Sequence, residues 1–337
     1  MSISKQCPLL ILGAGSWGTA LTLLLHANGV PVRLWSHDAK QVALMNTLHE
    51  NPAYLPNSHL PEDLLISNDL AQLLDGVNDV FIVVPSIAFL EVVLQLKSLR
   101  PHGLRIAWGT KGLEPHSYLM LHDVIAQHYG EDTPVAVLSG PSFAKEVACG
   151  LPTAVSLAGN NAAFNHSLIE RFHNKSFRVY LNHDLAGIEL CGVVKNALAI
   201  MVGMSDGLGF GANARSALMT RGLSEMSRLC LAVGGKAQTL MSLAGVGDLI
   251  LTCTDDQSRN RRFGLALAKS GDVITAIKDI GQAIEGYSNA KQLYQLAKQH
   301  HVDMPIVDCL YRILYEGADV KEQALLLMER SPKDEQL

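Results

Sequence analysis

Lys195 has the setting that most strongly suggests chemistry. It stands in Val193-Val194-Lys195-Asn196-Ala197-Leu198, inside a stretch from Leu185 to Val202 that is apolar nearly all round. A helix apolar on every face is buried. An unpartnered ammonium there is costly, so the lysine must be paired, snorkel to the surface or carry a lowered pKa. A lysine of the last kind can give or take a proton at a reacting oxygen. Asp248, in Ala244-Gly245-Val246-Gly247-Asp248-Leu249, is a carboxylate among small and apolar residues. It could pair with Lys195, hold a substrate hydroxyl, or serve as an ordinary N-cap.

Three further segments carry charge in suggestive places. Lys111 follows an expected strand in Trp108-Gly109-Thr110-Lys111-Gly112-Leu113-Glu114, where flanking glycines let a backbone approach a ligand. Alone, it also reads as a solvated loop lysine. Ser258-Arg259-Asn260 could open a helix and present N–H groups, a hydroxyl, a guanidinium and an amide together, a combination suited to phosphate. A solvated cap followed by surface arginines is the alternative. Glu285, in Gly281-Gln282-Ala283-Ile284-Glu285-Gly286, reads either as a ligand group or as a solvated glutamate. The thirteen histidines form no HExxH or comparable ligand pair, so no metal centre is expected. The Ser139-Gly140-Pro141-Ser142 turn does not fit the GxSxG pattern of a nucleophile elbow, which argues against acyl transfer there.

The elements that must position these residues begin with Leu9–Leu12, an apolar run that meets Gly13, Gly15 and Gly18. A helical pattern then runs to about Asn28. Strand, glycine-rich turn and helix together form a backbone seat for a pyrophosphate at a helix N-terminus. Gly13 takes the tight turn, Gly15 admits the phosphate, and Gly18 allows close helix–strand packing. Further candidate strands are Val32–Trp35, Leu64–Ile66, Val80–Val84, Leu104–Ala107, Val135–Leu138, Thr153–Leu157 and Phe177–Leu181. Helical patterns such as Ala39–Glu50, Ser86–Ser98 and Ser117–His128 lie between them. That alternation predicts βαβ units and a parallel sheet, with ligand beyond the carboxyl ends of the strands. From about Asp184, a plausible N-cap, the chain reads as helices alone. The expected fold is therefore α/β: a Rossmann-like, mostly parallel sheet domain over 1–185, followed by an all-α C-terminal domain over 186–337. The tail Ser331–Leu337 reads as frayed.

Composition bounds the rest. The 337 residues suffice for two domains, and 48% are hydrophobic against 18% charged, so a large core can form. A net charge of −5 argues against a nucleic-acid surface. No apolar run is expected to reach the ~20 residues that span a bilayer, and Met1–Lys5 shows no secretory signal. The six scattered cysteines, with no CxxC, read as reduced and mostly buried thiols of a cytoplasmic protein.

Taken together, these segments resemble the bacterial-type NAD(P)-dependent glycerol-3-phosphate dehydrogenases over essentially the whole chain. The resemblance is carried by Gly13-Ala14-Gly15-Ser16-Trp17-Gly18-Thr19-Ala20-Leu21, Lys111-Gly112-Leu113-Glu114 and the run Leu138-Ser139-Gly140-Pro141-Ser142-Phe143-Ala144-Lys145-Glu146-Val147. It continues through Val194-Lys195-Asn196-Ala197, the run from Gly203 to Ala214, Gly245–Leu249 and Ser258-Arg259-Asn260. It implies reversible reduction of dihydroxyacetone phosphate to sn-glycerol 3-phosphate by NADPH or NADH, supplying phospholipid synthesis. By the same resemblance Lys195 is the general acid/base. Lys111, Gly140, Ser142, Asp248, Ser258, Arg259 and Asn260 join it as substrate contacts. Cofactor contacts are implied at Gly13, Gly15, Ser16, Trp17, Gly18, His37, Tyr54, Lys111, Ala144, Arg259, Ala283 and Glu285. Position 283 departs from the family's usual Val. A homodimer is also implied, and closure of the two domains over substrate is expected because each would supply part of the cleft.

Strict NAD readers carry an acidic residue at the end of the second strand. Here Trp35-Ser36-His37 occupies that end and Asp38 comes late, so NADPH use is expected with NADH left open. Two rivals share the pattern: a β-hydroxyacid or 6-phosphogluconate type of reductase, and a redox sensor that binds dinucleotide without turnover.

Overall fold

The computed structural model describes residues 7–328; the readings made on Met1–Lys5 and Ser331–Leu337 lie outside the described residues. The chain forms two compact units. One comprises the chain up to Thr110 together with Leu121–Leu185; the other comprises Lys111–Met120 together with the chain from Ala186 onward. A single cut after 185 therefore omits an excursion: the segment carrying Lys111 packs with the helical unit.

In the first unit the strands are β1 (Leu9–Leu12), β2 (Val32–Trp35), β3 (Glu50–Asn51), β4 (Leu55–His59), β5 (Leu65–Ser67), β6 (Asp79–Ile82), β7 (Arg105–Trp108), β8 (Val135–Ser139), β9 (Thr153–Gly159) and β10 (Phe177–Asn182). Eight form one sheet in the order β10-β9-β8-β7-β6-β1-β2-β5. Central β1 pairs in parallel with both β2 and β6, and all four of its residues are buried. An apolar run without alternation is what a strand covered on both faces requires. The chain leaves β1 toward β2 on one side and β6 on the other, so a ligand crevice is expected beyond the carboxyl end of β1. One pair departs from the expected parallel pattern: β8 and β9 run antiparallel. A short helix and a turn lie between them, and β9 returns against the direction of β8.

Helices α1 (Ser16–Ala27), α2 (Ala39–Leu48), α3 (Leu70–Leu74), α4 (Ser86–Leu99), α5 (Leu121–Tyr129), α6 (Ala144–Ala148) and α7 (Ala162–Phe172) complete this unit. Helix α2 stops short of Glu50 because His49 adopts φ 49°, and Glu50 opens the antiparallel β3–β4 pair, which the sequence reading lacks. Helix α5 begins at Leu121 rather than Ser117, since Tyr118 sits at φ 60° in a turn that cannot be helical.

The second unit contains α8 (Leu185–Gly207), α9 (Gly211–Ala232), a 3₁₀ turn (Ala237–Met241), a wide π-type turn (Leu243–Gly247), α10 (Asp248–Thr254), α11 (Arg259–Ser270), α12 (Val273–Ile280), α13 (Glu285–Gln299), α14 (Pro305–Tyr315) and α15 (Val320–Met328). Every residue of α8 from Gly187 to Ser205 is buried. By length and composition α8 could cross a membrane, contrary to the expectation that no run is long enough, yet 89% of its apolar window is buried inside the protein. It is the axle of a helical core. Glycines set its neighbours' distances. A Cβ on Gly203 would lie 2.2 Å from the Arg261 carbonyl, and one on Gly264 would lie 2.1 Å from that of Ile200. A Cβ on Gly286 would lie 2.6 Å from the Asn196 carbonyl. Helices α11 and α13 thus reach α8 at backbone contact along the turns from Asn196 to Gly203 that follow Lys195.

Candidate active site

Lys195 is 6% exposed and does not snorkel. Its Nζ donates to Asp248 Oδ1 at 2.9 Å and to Thr252 Oγ1 at 2.8 Å. Lys111 Nζ donates to the other carboxylate oxygen, Asp248 Oδ2, at 2.7 Å. One buried carboxylate therefore holds two ammonium groups. The bend that delivers it depends on Gly245. A Cβ there would lie 2.2 Å from the Leu240 carbonyl, so the wide turn before α10 closes only on a glycine. Thr252 lies one helical turn beyond Asp248, and its hydroxyl also donates to the Asp248 carbonyl at 2.6 Å.

The electrostatics follow. Burial lowers the Lys195 pKa to about 8, and Lys111 pushes in the same direction, while Asp248 and Glu285 pull it back up. For Asp248, burial works upward, but the two ammonium groups outweigh it and hold the carboxyl below its ordinary range. The result is a fixed carboxylate beside a lysine that yields its proton more readily than a solvated one.

The other expected residues of this unit gather around Asn196. Ser258 caps α11 by accepting the Arg261 N–H at 3.2 Å. Asn260 donates to Asn196 Oδ1 at 2.9 Å and accepts the Gly286 N–H at 2.9 Å. Glu285, half-buried rather than solvated, accepts from Asn196 Nδ2 at 3.3 Å. Arg259 is the first residue of α11 and has no side-chain partner among the described residues. Its neighbour Arg261 is committed instead to Asp206 and Asp256. Ala283 is exposed in the connection before α13.

The remaining expected residues lie in the first unit. Gly13 adopts φ 120°, and a Cβ there would meet the Val83 backbone at 3.0 Å; on Gly18 it would lie 1.8 Å from the Gly13 carbonyl. On Gly15 it would meet nothing within 4 Å, and no side chain caps the first turn of α1. A bare backbone face at an uncapped helix start fits a pyrophosphate. Ser16 Oγ donates to the Tyr54 carbonyl at 2.6 Å, which ties the glycine turn to the β3–β4 pair, while Trp17 is half-buried beside Gly109. His37 is exposed. Asp38 caps α2, accepting the Lys40 and Gln41 N–H groups. Gly140, at φ 151°, and Ser142 follow β8, and Ala144 opens α6.

The sequence reading missed several supports. Thr252 was legible as the i+4 partner of Asp248 on a helix. Asn51, fully buried, donates to the Ala14 carbonyl and to Thr19, and Gln41 also donates to Ala14. No local signal marks Asn51, because the groups it donates to are more than thirty residues away in sequence.

A dinucleotide seat on a switch-point sheet, and a buried lysine fixed by a carboxylate, define a nicotinamide-dependent oxidoreductase. Comparison with known proteins narrows the class. The models for the N-terminal and C-terminal regions of NAD-dependent glycerol-3-phosphate dehydrogenase match residues 8–165 and 184–324. Glycerol-3-phosphate dehydrogenase [NAD(P)+] of Coxiella burnetii is 55% identical over 328 residues, covering 97% of this chain and 98% of the relative. The enzyme of that name from Idiomarina loihiensis is 50% identical over 326 residues, covering 96% and 98%. The crystal structure of glycerol-3-phosphate dehydrogenase from Coxiella burnetii matches with a TM-score of 0.94 at 54% identity, covering 96% and 99%. The chain belongs to the NAD-dependent glycerol-3-phosphate dehydrogenase family.

Proposed function

We propose that the protein reduces dihydroxyacetone phosphate reversibly to sn-glycerol 3-phosphate, supplying glycerophospholipid synthesis, with Lys195 as general acid/base. The observation that carries this reading is the Lys111–Asp248–Lys195 cluster: a proton donor with a pKa of about 8, held rigidly by a carboxylate that stays ionised. When bound, NADPH or NADH supplies the hydride. As carbon 2 of the ketone is reduced, its oxygen takes on alkoxide charge. The Lys195 ammonium stabilises that charge and delivers the proton, and in the oxidative direction the neutral amine takes it back. Asp248 orients Nζ and does not itself titrate near neutrality. Lys111 adds positive field for a phosphorylated substrate.

Arg259, unpaired at the start of α11, is assigned the phosphate, with Ser258 and Asn260 beside it. Gly140 and Ser142 are assigned as further substrate contacts from the first unit. Dinucleotide binding is assigned to Gly13, Gly15, Ser16, Trp17, Gly18, His37, Tyr54 and Ala144 of the first unit, with Lys111, Arg259, Ala283 and Glu285 of the second. Asp38 lies beyond the end of β2 and caps α2 through Oδ1, and no acidic residue ends β2 itself, which supports use of NADPH as well as NADH. Family membership supports a homodimer, which light scattering would test. Six unbridged cysteines support a reducing, cytoplasmic location.

The test is NADPH and NADH oxidation with dihydroxyacetone phosphate, set against a β-hydroxyacid assay as control. Turnover with the phosphorylated ketone alone supports the reading. Turnover with the acid alone, or with neither, overturns it.

A further inference from the structure

A chain of buried amides runs through the helical unit in one direction. The Gly286 N–H donates to Asn260 Oδ1 at 2.9 Å, and Asn260 donates to Asn196 at 2.9 Å. Asn196 donates to Asn289 at 3.2 Å, and Asn289 to Gln292 at 3.0 Å. Gln292 ends the chain by donating to the Leu113 carbonyl at 2.9 Å, and its Oε1 accepts the Leu113 N–H at 3.2 Å. Asn289 is fully buried and Gln292 is 3% exposed. Each amide uses its oxygen and its NH₂ in one sense, so the links polarise one another and none can be lost without stranding a buried polar group.

Three members of this chain lie at or beside functional segments. Asn196 is next to Lys195, Asn260 is in the segment assigned to phosphate, and Leu113 is two residues from Lys111. Gln292 grips Leu113 as a neighbouring strand would, by both backbone groups, in a stretch whose Gly112 sits at φ 152° and supplies no stiffness of its own. Neither Asn289 nor Gln292 has a direct bond to Lys111, Lys195 or Asp248.

We propose that Gln292, braced by Asn289, is a positioning residue for the reaction: it fixes the 111–113 backbone so that Lys111 stays on Asp248 beside Lys195. This rests on the assignment of Lys195 as general acid. The groups facing Lys195 are Asp248, Lys111, Glu285 and the buried Cys253. Of these groups Lys111 is the cation, and it disfavours the charged form of Lys195. If the 111–113 backbone loosens, that repulsion weakens and Lys195 holds its proton to higher pH.

The experiment is the pH dependence of kcat for dihydroxyacetone phosphate reduction in wild type, Gln292→Met, Lys111→Met and the double variant, with amide exchange at residues 111–113 read in parallel. Met keeps the length of Gln and removes both hydrogen bonds to Leu113 together with the one from Asn289. Gln292→Met is expected to lower kcat about tenfold and to move the alkaline limb up by about half a unit. Lys111→Met moves it the same way, and the double variant moves it no further than Lys111→Met alone. Gln292→Asn, one methylene short of Leu113, gives the same reading at smaller amplitude if the Met variant does not fold. An unmoved limb in a folded Gln292 variant overturns the proposal, as do shifts that add in the double variant. A wild-type profile with no limb that depends on Lys195 instead overturns the assignment of Lys195, and faster exchange at Leu113 then still reports whether Gln292 holds that backbone.

Discussion

At the scale of single residues, the account turns on one carboxylate serving two ammonium groups. Burial is the largest influence on Lys195 and sets its pKa near 8. In the reductive direction the protonated lysine is needed, so kcat should hold below that pH and fall as pH rises through about 8. In the oxidative direction the neutral amine is needed, and kcat should rise through the same region. Parallel profiles in both directions would be incompatible with one group acting as acid and then base. Asp248→Asn leaves Lys195 and Lys111 facing each other without the carboxylate that bonds both. Breaking such a buried pair should cost about 3–5 kcal/mol if both lysines stay charged. Urea denaturation near pH 7 checks that figure, and a loss below about 1 kcal/mol would mean that Asp248 is not what holds the two lysines together. Arg259→Ala should raise KM for the phosphorylated ketone by about 10- to 100-fold, the usual worth of a charge-assisted bond, with a smaller change in kcat. An unchanged KM would put the phosphate elsewhere.

At the scale of elements, glycines and remote carboxylates do the positioning. Gly264→Ala would drive a Cβ into the Ile200 carbonyl and force α11 away from α8. We expect a loss of about 2 kcal/mol or more in thermal unfolding, together with a drop in kcat, because Asn260 moves with that helix. Glu225 caps α14 from across the core, accepting the Ile306 N–H at 2.7 Å and the Val307 N–H at 3.3 Å. Burial raises its pKa to about 7 against those bonds. A carboxyl raised on folding binds its proton more tightly in the native state. Its contribution is therefore full below about pH 4.5 and is lost as pH rises through about 7. The stability of wild type relative to Glu225→Gln should accordingly decline between pH 5 and 7.5, measured by melting across that range; a constant difference would show that Glu225 does not titrate there.

Much of this was legible in the chain. The eight strands of the main sheet lie within a few residues of their apolar runs, because parallel strands covered on both faces leave an unmistakable composition. Lys195 and Asp248 were visible as charges in apolar settings. The β3–β4 pair, the reversal at β9 and the supports Asn51, Asn289 and Gln292 were not. Their structure comes from partners far away in sequence, and a polar residue destined for a buried network looks locally like one destined for water.

At the scale of the molecule, the two units carry separate cores and separate parts of the task. The sheet unit centres on β1 and its neighbours and offers the glycine turn. The helical unit centres on α8 and assembles Lys111, Lys195, Asp248 and Asn260. That Lys111–Met120 folds with the helical unit, though the sheet unit precedes and follows it in sequence, follows from this division: the residue belongs with the carboxylate it serves. The central claim is that Lys195 performs proton transfer and does not hold the dinucleotide. It is tested most directly by measuring NADPH binding and dihydroxyacetone phosphate turnover side by side in Lys195→Ala. Turnover is expected to fall by about 10³-fold or more, with the NADPH Kd within about twofold of wild type. Turnover within about tenfold of wild type, in a variant that binds NADPH normally, would contradict it.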